Sequence, residues 1–256
     1  MPRPTGPELA GLAAAAGALL PLGGAAAVNA VVPGLAYVAR VERVRRAGRA
    51  WPARRTAAAL VALTVLGAAT SAAVDQRVQA SLAWHMTQQM VLLFAVPLGL
   101  VAARTDELVT RSRRWAPSAV TLAAAWVAMA GIQWTLHVPT VLDGLWSRPT
   151  ALAAVHWALV AAGLAFFGCA FAAVRAHTMH PLLVGLYVAS IMAGTDAIGL
   201  WLLFDPHAVY SRYAPADQHT AGAVMFAAGM VPLLVGAGIA YRWMAPDARV
   251  HAAETR

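Results

Sequence analysis

Eight histidines, nine methionines and eleven carboxylates are the side chains of this sequence able to bind a metal or move a proton, and many of them fall close together along the chain. His85 stands with Met86 and Met90. His137 and His156 follow, and Asp196 precedes a run containing Asp205, His207, Asp217, Gln218, His219 and Met225. The inventory is imidazole, thioether and carboxylate without thiolate, since the single cysteine, Cys169, lies in an apolar stretch. Imidazole suits several transition metals, and thioether moves the preference towards copper, the reduced ion above all. On a helix, four-residue spacing puts His85 and Gln89 on one stripe and Met86 and Met90 on the next, while Gln218, Gly222 and Met225 share a face. Other chemistries are absent. All 19 basic residues are arginine, which excludes phosphate-loop lysines and Schiff bases. Ser71, Ser81 and Ser118 have no evident histidine and acid partners, and no pair of histidines brackets a glutamate. No enzymatic activity is expected.

The elements that must position these groups are set by composition. Of 256 residues, 60% are hydrophobic and 12% charged, against about 25% charge in soluble domains. Apolar segments run from about 9 to 39, 56 to 74, 82 to 103, 116 to 136, 150 to 174, 181 to 204 and 218 to 241. Each suffices to cross ~30 Å of hydrocarbon as a helix. The expected fold is therefore all-α, a polytopic bundle of seven transmembrane helices forming one domain over residues 1–256. A short cytoplasmic tail from 245 to 256 closes it.

Fifteen arginines fall in the first, third and fifth connections and the tail, and only Arg3, Arg77, Arg148 and Arg212 fall opposite. Positive charge collects on the cytoplasmic side, so the amino terminus is expected outside and the carboxyl terminus inside. Trp84, Trp134, Trp146 and Trp201 then form the outer belt, and Trp51, Trp115 and Trp243 the inner one. The first segment also has a signal-peptide reading, with Gly23 to Ala26 as a small-residue cleavage site. Against it, the apolar run continues to Ala39 and the basic cluster follows. That cluster, Arg40 to Arg55, lacks aromatic interleaving and is expected to face anionic lipid rather than nucleic acid. Gly222, Gly229 and Gly236 recur every seven residues as a packing seam.

On this topology the polar donors lie within roughly 12 Å of depth beneath the outer interface. Taken singly, Met86, Met90 and Met225 are ordinary core fillers and His137 an ordinary interfacial residue. His156, six residues into its helix, is costly to leave unpaired. Four or five helices meeting at one layer make the case for a site.

The run Trp84, His85, Met86, Thr87, Gln88, Gln89, Met90, followed by Val96, Pro97, Leu98, resembles the third-helix signature of the CtaG-type cytochrome c oxidase assembly factors. His137, Val138, Pro139 with Asp143; His156; and Asp217, Gln218, Ala221, Gly222, Val224, Met225 are similar in order and spacing. The similarity covers about residues 60 to 244. It implies an integral protein of the bacterial cytoplasmic membrane linked to copper insertion into haem-copper oxidases, with oxidase subunits as partners. It further implies roles for His85, His137, His156, Asp217, Gln218 and Met225. Two positions depart: Gln89 and Leu152 stand where the family usually carries further histidines.

The candidate metal ligands are thus His85, Met86, Met90, His137, His156, Asp217, Gln218, His219 and Met225, with copper as the ion. His85 and His156 are the main donors, one of the methionines completes the site, and Asp217 orients an imidazole or meets the partner. Two rival expectations are a haem or redox bundle with His85 and His156 as axial ligands, and a copper transporter. The second is less favoured because the inner half of the helices is almost bare of polar groups.

Overall fold

The structure, a computed structural model, describes residues 24–105 and 116–254. Among these residues there is helix and no strand. In chain order the elements are α1 (Gly24–Arg46), α2 (Ala53–Ala69), α3 (Ala72–Ala80), α4 (Leu82–Met90), a π-helical turn (Val91–Ala95), α5 (Val96–Ala102), α6 (Ala119–Leu136), α7 (Pro139–Trp146), α8 (Pro149–Ala176), α9 (Pro181–Phe204) and α10 (Pro215–Glu254).

Five helical stretches are long and apolar enough to cross a membrane: Leu82–Ala102, Ala119–Leu136, Thr150–Ala176, Pro181–Phe204 and Pro215–Arg242. The protein is a multi-pass membrane protein. The expected second span is two helices, α2 and α3, meeting at 53°, and becomes a sixth crossing if the pair is one broken span. The break is local chemistry. Thr70 turns its hydroxyl back to the Leu66 carbonyl at 2.9 Å, and Ser71 caps α3 through Val74 N–H. The described residues therefore support five or six crossings rather than the expected seven. Of the expected first span, residues 9–23 lie outside the described residues. The remainder, α1, is a continuous helix with Pro33 inside it and Arg40, Glu42, Arg43, Arg45 and Arg46 in its last turns, and it is not among the qualifying stretches. Arg111, Arg113, Arg114 and Trp115, part of the charge and belt arguments, also lie outside the described residues.

The span from Leu82 to Ala102 is the bundle's axis. It is 61% buried, against 22% for Pro215–Arg242. Leu82, Met86, Leu92, Leu93, Phe94 and Val96 join Phe166, Phe167, Val188, Ile198, Leu202 and Met225 in one core. The axis is not a uniform helix. Pro97 has no N–H for the Leu93 carbonyl, and Val96 N–H reaches back to Val91 instead, which widens the turn. Gly163 of α8 lies against this defect: a Cβ there would stand 2.3 Å from the Leu93 carbonyl oxygen and 2.5 Å from Pro97 Cγ. The missing side chain lets α8 close over the break.

Helices α9 and α10 form the tightest pair. The Gly222, Gly229 and Gly236 stripe is the packing seam expected of it, with Gly199 and Gly185 facing it from α9. In a membrane, where lipid tails compete for apolar contact, such close backbone approach replaces the hydrophobic drive between helices. Polar stitches add to it: Trp126 donates to Ser190 at 2.9 Å, Gln133 to Thr195 at 2.8 Å, and Tyr187 to the Leu122 carbonyl at 3.1 Å, all between α6 and α9. At the other end, Tyr37, Val41, Trp51, Ala59 and Ala103 form a second small core, where Trp51 donates to the Tyr37 hydroxyl at 3.0 Å and Arg55 lies over the indole.

A Cβ at Gly222 would sit 2.5 Å from both the Gly199 carbonyl oxygen and Leu203 N, whereas one at Gly238 would meet nothing within 4 Å. Gly222→Ala is expected to destabilise the protein by about 1–3 kcal/mol, and Gly238→Ala to be neutral or to stabilise by up to ~1 kcal/mol. Thermal unfolding of the two variants in detergent, by circular dichroism, checks both signs.

Candidate functional site

The ends of α3, α4, α6, α8, α9 and α10 meet at one end of the bundle, tied by the 205–214 loop and α7. Ser81 caps α4 by accepting from Trp84 N–H at 3.3 Å, and this places His85 and Met86 one turn inside the helix. Asp217 of α10 completes the cap: its carboxylate accepts from the Ser81 hydroxyl at 2.8 Å, from Leu82 N–H, and from Ala83 N–H at 3.4 Å. A carboxylate at a helix N-terminus also meets the positive end of the dipole. Gln88 anchors the other side of α4, donating to the Ala69 carbonyl at 2.7 Å and to Asp75 at 3.2 Å, next to the α2–α3 bend.

The 205–214 loop is fastened as firmly. Gln218 accepts from Val209 N–H at 2.7 Å and donates to the carbonyls of His207 and Leu202 at 3.1 and 3.5 Å. His219 Nε2 donates to the Asp205 carbonyl at 3.1 Å. Asp205 itself accepts from His207 N–H, which holds its carboxyl below the usual carboxylate range. Tyr210 donates to the His137 carbonyl at 3.1 Å, Tyr213 to the Val78 carbonyl at 3.2 Å, and Arg212 to the Gln79 carbonyl at 3.2 Å. Burial pushes both tyrosine hydroxyls up, so they remain donors. Asp217, Gln218 and His219 are all occupied by these bonds, although the sequence made them candidate ligands. Met90 and Met225, also candidates, pack in the core at 5% and 0% exposure.

The remaining candidates form two neighbouring groups. In the first, His85, Gln88, Gln89 and His156 line a small cavity closed by Leu136, Leu142, Leu145, Leu152, Val155 and Leu159, with room for about one water. His85 Nδ1, His156 Nε2 and both polar atoms of the Gln89 amide are buried there without a hydrogen-bond partner. Each such atom costs about 1–3 kcal/mol unless something meets it. Trp146 of α7 covers this group, its ring edge-on to His85 at 5.2 Å, with Tyr213 and the Arg212 guanidinium against its outer side.

In the second group, His137 Nε2 lies 3.2 Å from Met86 Sδ, and His137 Nδ1 is 2.6 Å from the Gln133 carbonyl oxygen. Burial pushes the His137 imidazole down to about 4, against the upward pull of that carbonyl, so the ring is neutral at physiological pH. The two groups adjoin, since His85 and Met86 are consecutive on α4 and Leu136, beside His137, lines the cavity.

Among the described residues no three histidines, cysteines, aspartates or glutamates converge in a way that would hold a metal ion. A closed cage of hard ligands is not what this layer offers. Its unpartnered imidazole nitrogens fit an ion content with few, soft or nitrogenous donors. Asp196 joins neither group. It is half-buried on α9 against Gly229, and the hydroxyls of Ser190 and Thr195 bond elsewhere. Three contributors were not singled out in the sequence: Gln133, a polar residue inside a span and readable as such; Trp146, which looked like one more belt tryptophan; and Gln88, hidden beside Gln89.

An all-helical multi-pass protein with a buried imidazole layer at one end is the class that fold and site define. The model of the cytochrome c oxidase caa3 assembly factor family (Caa3_CtaG) matches residues 35–246, and the chain belongs to this family. An uncharacterized protein of Mycobacterium leprae (strain TN) is 25% identical over 271 residues, covering 89% of this chain and 40% of the relative. The chain thus spans about two fifths of that relative's length. No solved structure matches.

Removing the Asp217 carboxylate strips three donors of their acceptor. Asp217→Ala is expected to destabilise the protein by about 1–2 kcal/mol and Asp217→Asn by less. Backbone amide exchange at Leu82 and Ala83 should accelerate in the same order, which hydrogen-exchange mass spectrometry reads directly.

Proposed function

We propose that this protein is an oxidase assembly factor that binds copper at the exoplasmic face of the bacterial cytoplasmic membrane and assists its delivery to a haem-copper oxidase. Copper is here the cargo, not a resident cofactor. Membership of the assembly-factor family supports the oxidase part. The observation that carries the copper part is the pair of buried, unpartnered imidazole nitrogens, His85 Nδ1 and His156 Nε2, on the wall of one cavity. Two imidazoles with an amide beside them make a site of low coordination number, which releases its ion more readily than a fourfold cage would. A weak site suits a protein that hands its metal on.

The exoplasmic assignment rests on the arginine count, which puts the basic connections inside. Trp146 and Arg212 then face the side from which copper arrives. We propose no catalytic activity: the layer holds no nucleophile paired with a base. The transporter reading lacks a path, since the buried polar side chains, from Thr70 and Ser71 through His85, Gln133 and His156 to Gln218, crowd towards one end of the helices. The haem reading lacks room, since the space between the two imidazoles admits about one water rather than a macrocycle.

Two measurements test this proposal. The purified protein, reconstituted with copper(I), is expected to lose one bound equivalent when His85 and His156 are both replaced by alanine; unchanged stoichiometry would remove these residues as ligands. In cells, deletion of the gene is expected to lower oxidase activity several-fold, with partial recovery on added copper. Full oxidase activity in the deletion strain would overturn the delivery role.

A further inference from the structure

We propose that Met86 Sδ and His137 Nε2 form a second binding site for a soft monovalent ion such as copper(I), separate from the His85–His156 cavity. The contact is anomalous unless an ion belongs there. His137 Nδ1 lies 2.6 Å from the Gln133 carbonyl oxygen, which can only accept, so the ring hydrogen sits on Nδ1. A neutral imidazole carries one N–H, and Nε2 is then a bare lone pair. Facing it at 3.2 Å is a thioether sulfur, which has lone pairs and no hydrogen to give. Two electron-rich atoms are held together in a dry place with no proton between them.

Protonating His137 at both nitrogens would supply the hydrogen, but it would create a cation that is 2% exposed, and Met86 is 0% exposed. The polar contacts of the ring are the Gln133 carbonyl and the Met86 sulfur, neither of which is a carboxylate to balance the charge. A soft cation resolves the same contact without that cost, because each lone pair becomes a ligand. The donor set, one imidazole and one thioether, is the combination that favours reduced copper over zinc or hard divalent ions.

The rest of the geometry supports this assignment. The Gln133 carbonyl fixes the tautomer and aims Nε2, as a partner of a metal-binding imidazole does. Tyr210 pins the His137 backbone by donating to its carbonyl at 3.1 Å. Met86 has three rotatable bonds and can let the sulfur adjust to an ion. The two sites are adjacent: His85 and Met86 are consecutive on α4, and Leu136, beside His137, lines the first cavity. Two adjoining stations of this kind would let an ion pass between neighbours rather than sit in one tight site. The inference rests on the copper reading only for the identity of the natural ion.

Titration of the purified full-length protein with silver(I), a redox-inert stand-in for copper(I), tests it. Silver and copper X-ray absorption report whether sulfur is a ligand. The wild type is expected to bind two equivalents with sulfur scattering. Met86→Leu, a volume-conserving change that leaves the core filled, should lose one equivalent and the sulfur signal while keeping its melting temperature. His85→Ala with His156→Ala should lose the other equivalent and keep the sulfur signal. If Met86→Leu retains both equivalents and the sulfur signal, the second site does not exist. If the wild type binds one equivalent and each variant abolishes it, the two groups are one site and the separation is wrong. If only the paired histidine variant is without effect, the copper cavity of the preceding section fails and the Met86–His137 site stands.

Discussion

A polar atom buried in a membrane protein has no water to fall back on, and that single cost sorts the residues of this chain. Carbonyls, amides and hydroxyls within the spans must find partners from the protein itself. Most do. Thr70, Thr87 and Thr195 return their hydroxyls to their own helices, Gln88 reaches a carbonyl across the α2–α3 bend, and Asp217 serves three donors at the start of α4. Among the described residues, Thr56 Oγ1, Gln133 Oε1, Trp146 Nε1 and Asp196 Oδ1 remain without a partner singly, whereas two imidazole nitrogens and one amide remain together on a cavity wall, next to an imidazole lone pair turned to a thioether. The same rule that holds the bundle together thus marks the place where a ligand is missing a counterpart.

Position along the helix follows from a second set of constraints, which are steric. The π turn at Val91–Ala95 and the proline after it lie just below the polar layer, and α8 can approach them only because residue 163 is glycine. That approach brings His156, two turns earlier on α8, to the level of His85. The glycine seam of α9 and α10 does the same for the opposite wall, carrying Gln218 and His219 to the loop they hold. Small residues here set depth and register for large ones elsewhere.

Much of this was legible beforehand. Long apolar runs require helices, and all five of the spanning stretches fall within a few residues of where hydropathy put them. Clustering of His85, His137 and His156 at one level was legible too, because depth along a helix follows from counting residues. What counting could not supply was rotation and partnership. Asp217, Gln218 and His219 carry metal-binding groups at the right depth, yet their side chains face backbone donors and acceptors of a cap and a loop, and no spacing rule reveals that. The bend at Thr70–Ser71 was hidden because both residues are tolerated inside spans. The division of the donors into two groups depends on which way Met86 leaves α4, and that is settled by the end of α6, fifty residues away.

The carboxylate that closes α4 belongs to α10, 135 residues further along the chain. Helices bearing the imidazoles are made and inserted first, and Asp217, Gln218 and His219 leave the ribosome only afterwards. During biogenesis the donor layer therefore exists for a time without the Asp217 clasp on α4 and without the bonds by which Gln218 and His219 hold the 205–214 loop. A polypeptide interrupted before Pro215 would retain His85, Met86, His137 and His156, and Trp146 above them, yet lack every bond that Asp217, Gln218 and His219 make to fasten them: a vessel whose lid has lost its latch.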